Sequence, residues 1–197
     1  TSVSIPSTIT TIGDNAFNGC TGLTSISYNA TGCSTMGSEN APAFNGCTSV
    51  RTISIGDAVI TIPAFAFKGL TALRSVTIPE NITYIGNYAF RGCTSIAQVN
   101  FNATECNYMY NAFDGCTNTA NVYIGDNVKV IPSNAFNHFN GLTNLTIGES
   151  VISIGSYAFD YCSSLKKVNY NAINCAATNG TIFNSRNYNY NDLTTVV

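Results

Sequence analysis

Leu73-Arg74-Ser75-Val76-Thr77-Ile78-Pro79-Glu80-Asn81-Ile82-Thr83-Tyr84-Ile85-Gly86-Asn87-Tyr88-Ala89-Phe90-Arg91-Gly92-Cys93 decides the fold, because its pattern returns along the whole 197-residue chain. The Ala-Phe pair near its end recurs as Ala16-Phe17, Ala43-Phe44, Ala66-Phe67, Ala112-Phe113, Ala135-Phe136 and Ala158-Phe159, with Ile182-Phe183 as a degraded further copy. The steps between phenylalanines are 27, 23, 23, 23, 23, 23 and 24 residues. A repeat of that length is one structural unit of a solenoid, each unit stacked on the next.

Within the quoted stretch, Leu73 opens a run in which Val76 and Ile78 alternate with Ser75 and Thr77, the period of a β-strand. Leu23, Val50, Ile96, Leu142 and Leu165 stand at the Leu73 position of other repeats. Proline or glycine then stops the strand, as in Ile55-Gly56, Ile78-Pro79 and Ile147-Gly148. A second apolar pair follows at three-residue spacing: Ile82/Ile85 here, and Ile9/Ile12, Val59/Ile62, Val128/Ile131 and Val151/Ile154 elsewhere. The segment from there to Ala-Phe is too short for a full helix, so the pattern predicts one turn of 3₁₀ or α structure. No repeat of this size can bury its apolar face alone, so stacking makes the core.

The quoted stretch resembles the BspA-like leucine-rich repeats. It matches their coil at Leu73, Val76, Ile78, Pro79, Ile82, Ile85, Gly86, Ala89, Phe90, Gly92 and Cys93, and the likeness extends over the whole chain. The resemblance implies an α/β repeat solenoid, largely β: a right-handed curved coil with a parallel sheet on its concave side and short 3₁₀ or α turns around Ala-Phe. The expected organisation is a single solenoid domain over 1–197, of about eight coils. Strands about 4.8 Å apart over roughly nine rungs give a sheet on the order of 38 Å long. Val3-Ser4-Ile5-Pro6 enters at a strand and Leu193-Thr194-Thr195-Val196-Val197 stops inside one, with no polar cap at either end. The chain is therefore expected to be a segment of a longer protein, with open ends able to self-associate.

A longer period overlies the short one. Asn29-Ala30-Thr31, Asn102-Ala103-Thr104 and Asn171-Ala172-Ile173 fall on every third rung, and Ile62-Pro63 and Ile131-Pro132 lie 69 residues apart. Duplication of a three-repeat block is the simplest cause. A row of similar loops about 14 Å apart, suited to a repetitive partner, is the functional alternative.

Only 9% of the residues are charged, against a usual quarter, so serine, threonine, asparagine and tyrosine must cover the surface. A net charge of −2, with Lys166-Lys167 the one adjacent basic pair, argues against nucleic acid. No run of eighteen apolar residues occurs, so no membrane span is expected.

Eight cysteines invite a disulfide or zinc reading. Cys20, Cys47, Cys93, Cys116 and Cys162 share one repeat position, which Leu70 and Phe139 fill in other coils, so the slot reads as an apolar core site. Cys33, Cys106 and Cys175 precede Met36, Met109 and Thr178 by three residues and replace core aliphatics. Free thiols are favoured; bridges between Cys20/Cys33, Cys93/Cys106 and Cys162/Cys175 are the alternative. With one histidine and no C-x-x-C, no metal or other cofactor is expected. That histidine, His138, takes a glycine position and reads as a turn residue. Asp57, Glu80, Asp126 and Glu149 follow the strands singly, as solvated turn residues rather than a calcium cage. Asn-x-Thr sequons at Asn29, Asn81, Asn102, Asn144 and Asn179 are expected by chance in so Asn- and Thr-rich a chain.

The outward strand residues form a ladder: Ser25/Ser27, Thr52/Ser54, Ser75/Thr77, Gln98/Asn100, Asn121/Tyr123, Asn144/Thr146 and Lys167/Asn169. Ser75, Thr77, Gln98, Asn100, Asn121, Tyr123, Asn144 and Thr146 make the candidate partner-binding face, with Tyr123 its one aromatic anchor. No catalytic constellation is legible, and no enzyme is expected. The family resemblance implies an adhesion-type module of a secreted or cell-surface protein, its signal peptide outside this segment. Its implied partners are extracellular proteins or glycoproteins such as fibronectin or fibrinogen. A glycan-binding module and a passive spacer are the alternatives.

Overall fold

The computed structural model describes residues 1–175, Ile182 and the backbone of 194–196; Thr178, Asn179, Phe183, Leu193 and Val197 of the sequence reading lie outside the described residues. Two kinds of strand alternate along the chain. The long ones are β1 (Ser2–Ile5), β3 (Ser25–Tyr28), β5 (Thr52–Ile55), β7 (Ser75–Ile78), β9 (Gln98–Phe101), β11 (Asn121–Ile124), β13 (Asn144–Ile147), β15 (Lys167–Tyr170) and β16 (Thr194–Val196). The short ones are β2 (Thr11–Ile12), β4 (Thr35–Met36), β6 (Thr61–Ile62), β8 (Tyr84–Ile85), β10 (Tyr108–Met109), β12 (Val130–Ile131) and β14 (Ser153–Ile154). Pairing is parallel throughout, and equivalent repeat positions stack on one another: Val76 on Val99, Val99 on Val122, Val122 on Leu145. The β-branched and leucine side chains at these positions close into one continuous core with the Ala-Phe pairs.

The expected helical turn does not form. Among the described residues there is no helix, and the architecture is a parallel β-solenoid rather than an α/β one. The reason lies in the backbone around Ala-Phe. The residue before alanine is left-handed in Asn15, Phe65, Tyr88, Asn111, Asn134 and Tyr157, with φ from 49 to 60°. The residue two after phenylalanine is left-handed as well; Gly92, at φ 72°, meets that requirement without the cost a side chain incurs. No more than three right-handed residues can follow one another between these positions. Single turns close instead, as in Asn18 N–H to Asn15 C=O at 2.9 Å. The other amides bond the next coil: Phe67 N–H to Ala89 C=O at 2.7 Å and Gly69 N–H to Arg91 C=O at 2.8 Å.

The three-repeat period has a physical form. Most neighbouring Ala-Phe rings stack at 4.7 to 5.4 Å between centroids, but Phe44–Phe67 and Phe113–Phe136 are 6.4 Å apart. At the same two junctions the short strands fall out of register: β4 does not pair with β6, nor β10 with β12. Each seam follows an Asn-Ala-Thr coil, which carries one extra residue between its strands (Val99 to Met109, against Val76 to Ile85). Buried Ala30 and Ala103 take up that residue. An aromatic ring then crosses the gap edge-on, Tyr28 to Phe67 and Phe101 to Phe136, each at 5.7 Å.

The cysteine slot answers to these seams. Within blocks, Cys47, Cys93, Cys116 and Cys162 donate their thiols to Phe17, Phe67, Phe90 and Phe136 carbonyls of the preceding coil at 3.1 to 3.4 Å. In the coil after each seam the larger Leu70 and Phe139 occupy the slot and fill the wider space. Of the eight cysteines, Cys20, Cys33, Cys47, Cys93, Cys106, Cys116 and Cys162 are free thiols. Two of the eight depart from the core assignment: Cys20 is exposed and Cys175 half-buried. Thr119, which the apolar pattern passed over, fills the leucine position of its coil; fully buried, it donates its hydroxyl to Ile96 C=O at 3.1 Å.

Candidate functional site

Period two along the long strands sends the first and third residue of each outward. All eight residues of the expected face lie there, in two rows: Ser75, Gln98, Asn121 and Asn144, and Thr77, Asn100, Tyr123 and Thr146. Ser75, Thr77, Tyr123 and Asn144 are exposed, while Gln98, Asn100, Asn121 and Thr146 are half-buried. Side-chain bonds run between and along the rows. Gln98 Nε2 donates to Asn100 Oδ1 at 2.8 Å, Asn100 Nδ2 to Thr77 Oγ1 at 3.2 Å, and Asn144 Nδ2 to Asn121 Oδ1 at 2.9 Å. These bonds leave each amide with unused acceptors or donors.

The ladder is not continuous, which corrects the sequence reading. Strands β1, β3 and β5 form one sheet; β7, β9, β11, β13, β15 and β16 form another. Ser25/Ser27 and Thr52/Ser54 therefore belong to a separate sheet. The break falls where Pro79 follows β7, and we attribute it to the missing proline N–H. At the position after the strand, the N–H of Asn29, Gly56, Asn102, Gly125 and Asn171 donates to the strand-end carbonyl of the coil before, at 2.9 to 3.0 Å. Pro79 occupies that position after β7 and has no N–H to give Ile55. Backbone to backbone, the opposite end is tied by Arg74 N–H to Arg51 C=O at 3.4 Å. The same coils stay joined behind, through Thr83 N–H to Ile60 C=O at 2.9 Å and Phe67 N–H to Ala89 C=O at 2.7 Å.

The result is a wedge-shaped cleft of about 680 Å3 that opens at the carboxyl ends of β5 and β7. Ile53, Ser54, Ile55, Asp57, Thr77, Pro79, Glu80, Asn81 and Asn102 line it. Asn81 Nδ2 reaches across to Asp57 C=O at 2.7 Å. Asp57 and Glu80, read from the sequence as plain turn residues, are exposed at its mouth, and none of the lining residues is basic. The ion pairs of the described residues, Arg91 with Glu39 and Asp114 and Lys129 with Glu105, all lie outside the long strands. The sequence signal for the cleft was Pro79, which had been read only as a strand stop.

Two substitutions test this account. Pro79→Gly restores the missing donor, and we expect the amides of 75–79 to gain protection against hydrogen exchange; unchanged protection removes proline as the cause. At the equivalent place 69 residues on, Gly148 stands where Pro79 does, with the backbones so close that a Cβ would lie 2.4 Å from Gly125 O. Gly148→Ala is expected to cost about 1–3 kcal/mol through forced separation of β11 and β13. A urea midpoint equal to wild type contradicts it.

The other singled-out residues stay apart from this face. His138 is exposed in a left-handed turn, φ 61°, its ring stacked on Tyr161 at 4.5 Å. Asp126 and Glu149 are exposed turn residues. Among the described residues no three His, Cys, Asp or Glu side chains group as metal ligands, and no helix is long and apolar enough to cross a membrane.

A parallel β-solenoid with an uncharged polar face defines a repeat protein of the leucine-rich class. The family model for the BspA type leucine rich repeat region matches six copies, over residues 1–107 and 60–189, and the chain belongs to that family. Its fold is similar to the T. pallidum leucine rich repeat protein TpLRR, at 24% identity over 83% of this chain and 77% of that one, TM-score 0.60. It is similar also to a Bacteroides ovatus leucine-rich repeat protein (24% identity, 88% of this chain and 56% of that one, TM-score 0.50). A third likeness is to the pneumococcal vaccine antigen PcpA (18% identity, 98% of this chain and 39% of that one, TM-score 0.52). At these identities the likeness is one of fold. No curated protein matches the sequence.

Proposed function

We propose that this chain is a non-enzymatic, adhesion-type interaction module of a secreted or cell-surface protein, and that its long-strand face binds an extracellular protein or glycoprotein. The observation that carries the reading is the face itself: six strands from Ser75/Thr77 onward, paired backbone to backbone in register and bordered by the break beside Pro79. Few strong anchors stand on it, so affinity comes from many hydrogen-bonding contacts repeated rung by rung. BspA-type membership supports the surface location, and matrix glycoproteins such as fibronectin or fibrinogen are the first partners to try.

The test compares the chain with a Ser75→Lys, Gln98→Lys, Asn121→Lys variant for binding to immobilised fibronectin and fibrinogen. Saturable binding that the variant loses by about tenfold or more is the expected result. Equal binding by both proteins moves the site off this face, and no binding by either favours a spacer.

A further inference from the structure

We propose that the cleft between β5 and β7, together with the rows running from it to Tyr123, is a binding site for a neutral oligosaccharide. This rests on the long-strand face being the binding face, and it names what that face takes.

The lining is the first argument. Asp57, Glu80, Asn81 and Asn102 offer planar carboxylate and amide groups, Ser54 and Thr77 offer hydroxyls, and Ile53, Ile55 and Pro79 supply a small apolar wall. A sugar ring is polar around its rim and presents C–H groups on its faces, so it can use both kinds of surface at once. The volume of about 680 Å3 falls within the ordinary range for small-ligand sites.

Charge narrows the ligand. Two carboxylates face the cleft with no basic side chain in its lining, which repels sialic and uronic acids and complements neutral sugars. From Ser75 to Thr146 the outward rows carry no charge at all.

Spacing extends the site. Strands lie about 4.8 Å apart, close to the length of one sugar unit, so a linear chain crossing them meets one hydroxyl or amide pair per sugar. Thr77, Asn100 and Tyr123 stand in register on successive strands. Tyr123, 41% exposed, sits about 10 Å from β7 and presents a ring for a second or third sugar to stack on.

A peptide strand suits the cleft less well. Completing the sheet would require β5 and β7 to lie two strand spacings apart, about 9.6 Å, along their whole length. Arg74 N–H to Arg51 C=O and the closed back of the same coils hold them to a wedge. A basic peptide drawn by Asp57 and Glu80 is the competing occupant.

The experiment is calorimetric titration of the chain with N-acetyllactosamine, chitotriose and cellotriose, with 3′-sialyllactose and a lysine-rich peptide alongside, at low and high salt. We expect at least one neutral saccharide to bind saturably and independently of salt. Glu80→Ala and Tyr123→Ala, both at exposed positions, should each weaken it about tenfold with unchanged melting temperature. Absence of neutral-saccharide binding, wild-type affinity in both variants, or binding of the peptide alone with loss at high salt would overturn the proposal. Binding to fibronectin that survives enzymatic removal of its glycans would sink the saccharide site while leaving the interaction-module reading standing.

Discussion

Phe90→Ala is expected to lower the stability of the solenoid by about 3–5 kcal/mol. Phe90 has no solvent exposure, and its ring lies 5.3 Å from Phe67 and 4.7 Å from Phe113, away from both seams. Truncation opens a cavity that neither neighbour can fill, because each is held by its own coil. Phe67 N–H bonds Ala89 C=O at 2.7 Å and Phe90 N–H bonds Ala112 C=O at 2.7 Å, so the backbones of three coils are tied at that level. Chemical denaturation measures the loss. In a chain of this length it corresponds to a fall in melting temperature of roughly 6–20 °C. A cost below about 1 kcal/mol would mean that the aromatic stack is not the spine of the core.

The second large effect is alkaline unfolding. Burial pushes the thiols of Cys93 and Cys162 up to about 12 and that of Cys106 to about 11, from an ordinary 9.0. Cys116 rises further still, by burial first and then by the neighbouring Cys93. The folded chain therefore keeps these protons after the unfolded chain has begun to lose them. Above pH 9 the unfolded state binds fewer protons, and stability falls as pH rises; below pH 9 the thiols contribute no slope. Each thiol contributes about 1.4 kcal/mol per pH unit, so four together give on the order of 5–6 kcal/mol per unit. That slope develops as the unfolded thiols titrate and lessens above about pH 11, where Cys106 ionises in the folded chain as well. Buried Tyr28, its phenol raised by burial and by Cys33 beside it, adds to the same fall. Circular dichroism melts from pH 7 to 11 test this. A melting temperature constant to pH 11 contradicts it, and alanine at the four cysteines should move the fall to higher pH.

Much of this architecture was legible in the residues. The Ala-Phe return predicted the stacking, and the period-two alternation of Ser75-Val76-Thr77-Ile78 predicted which side chains face out. The cysteine slot was legible as core because leucine and phenylalanine also occupy it, and four of its five cysteines are buried. The helical turn was misread because segment length was the guide. Length bounds a turn but says nothing of the left-handed residues, such as Tyr88 and Gly92, that bracket Ala89-Phe90. Thr119 was missed because an apolar pattern gives no weight to a hydroxyl whose partner, Ile96 C=O, lies one coil away.

The candidate site divides in the same way. Its eight side chains were legible one by one; their bonding into rows and the cleft at one end were not. Pro79 stands in the quoted stretch as a family feature, yet its effect depends on the amides that Asn29, Gly56 and Asn102 supply at the same place in other coils. Asp57 and Glu80 gain their common outlook only because β5 and β7 part there.

The sequence by itself determined the repeat, the inward and outward faces of each strand, and the near absence of charge, because each of these depends on one residue and its place in the period. The tertiary structure alone decided the seams after Phe44 and Phe113, the thiol bonds to phenylalanine carbonyls, and the wedge beside Pro79. Each of those arises between two coils, from backbone groups whose separation is set by both coils at once.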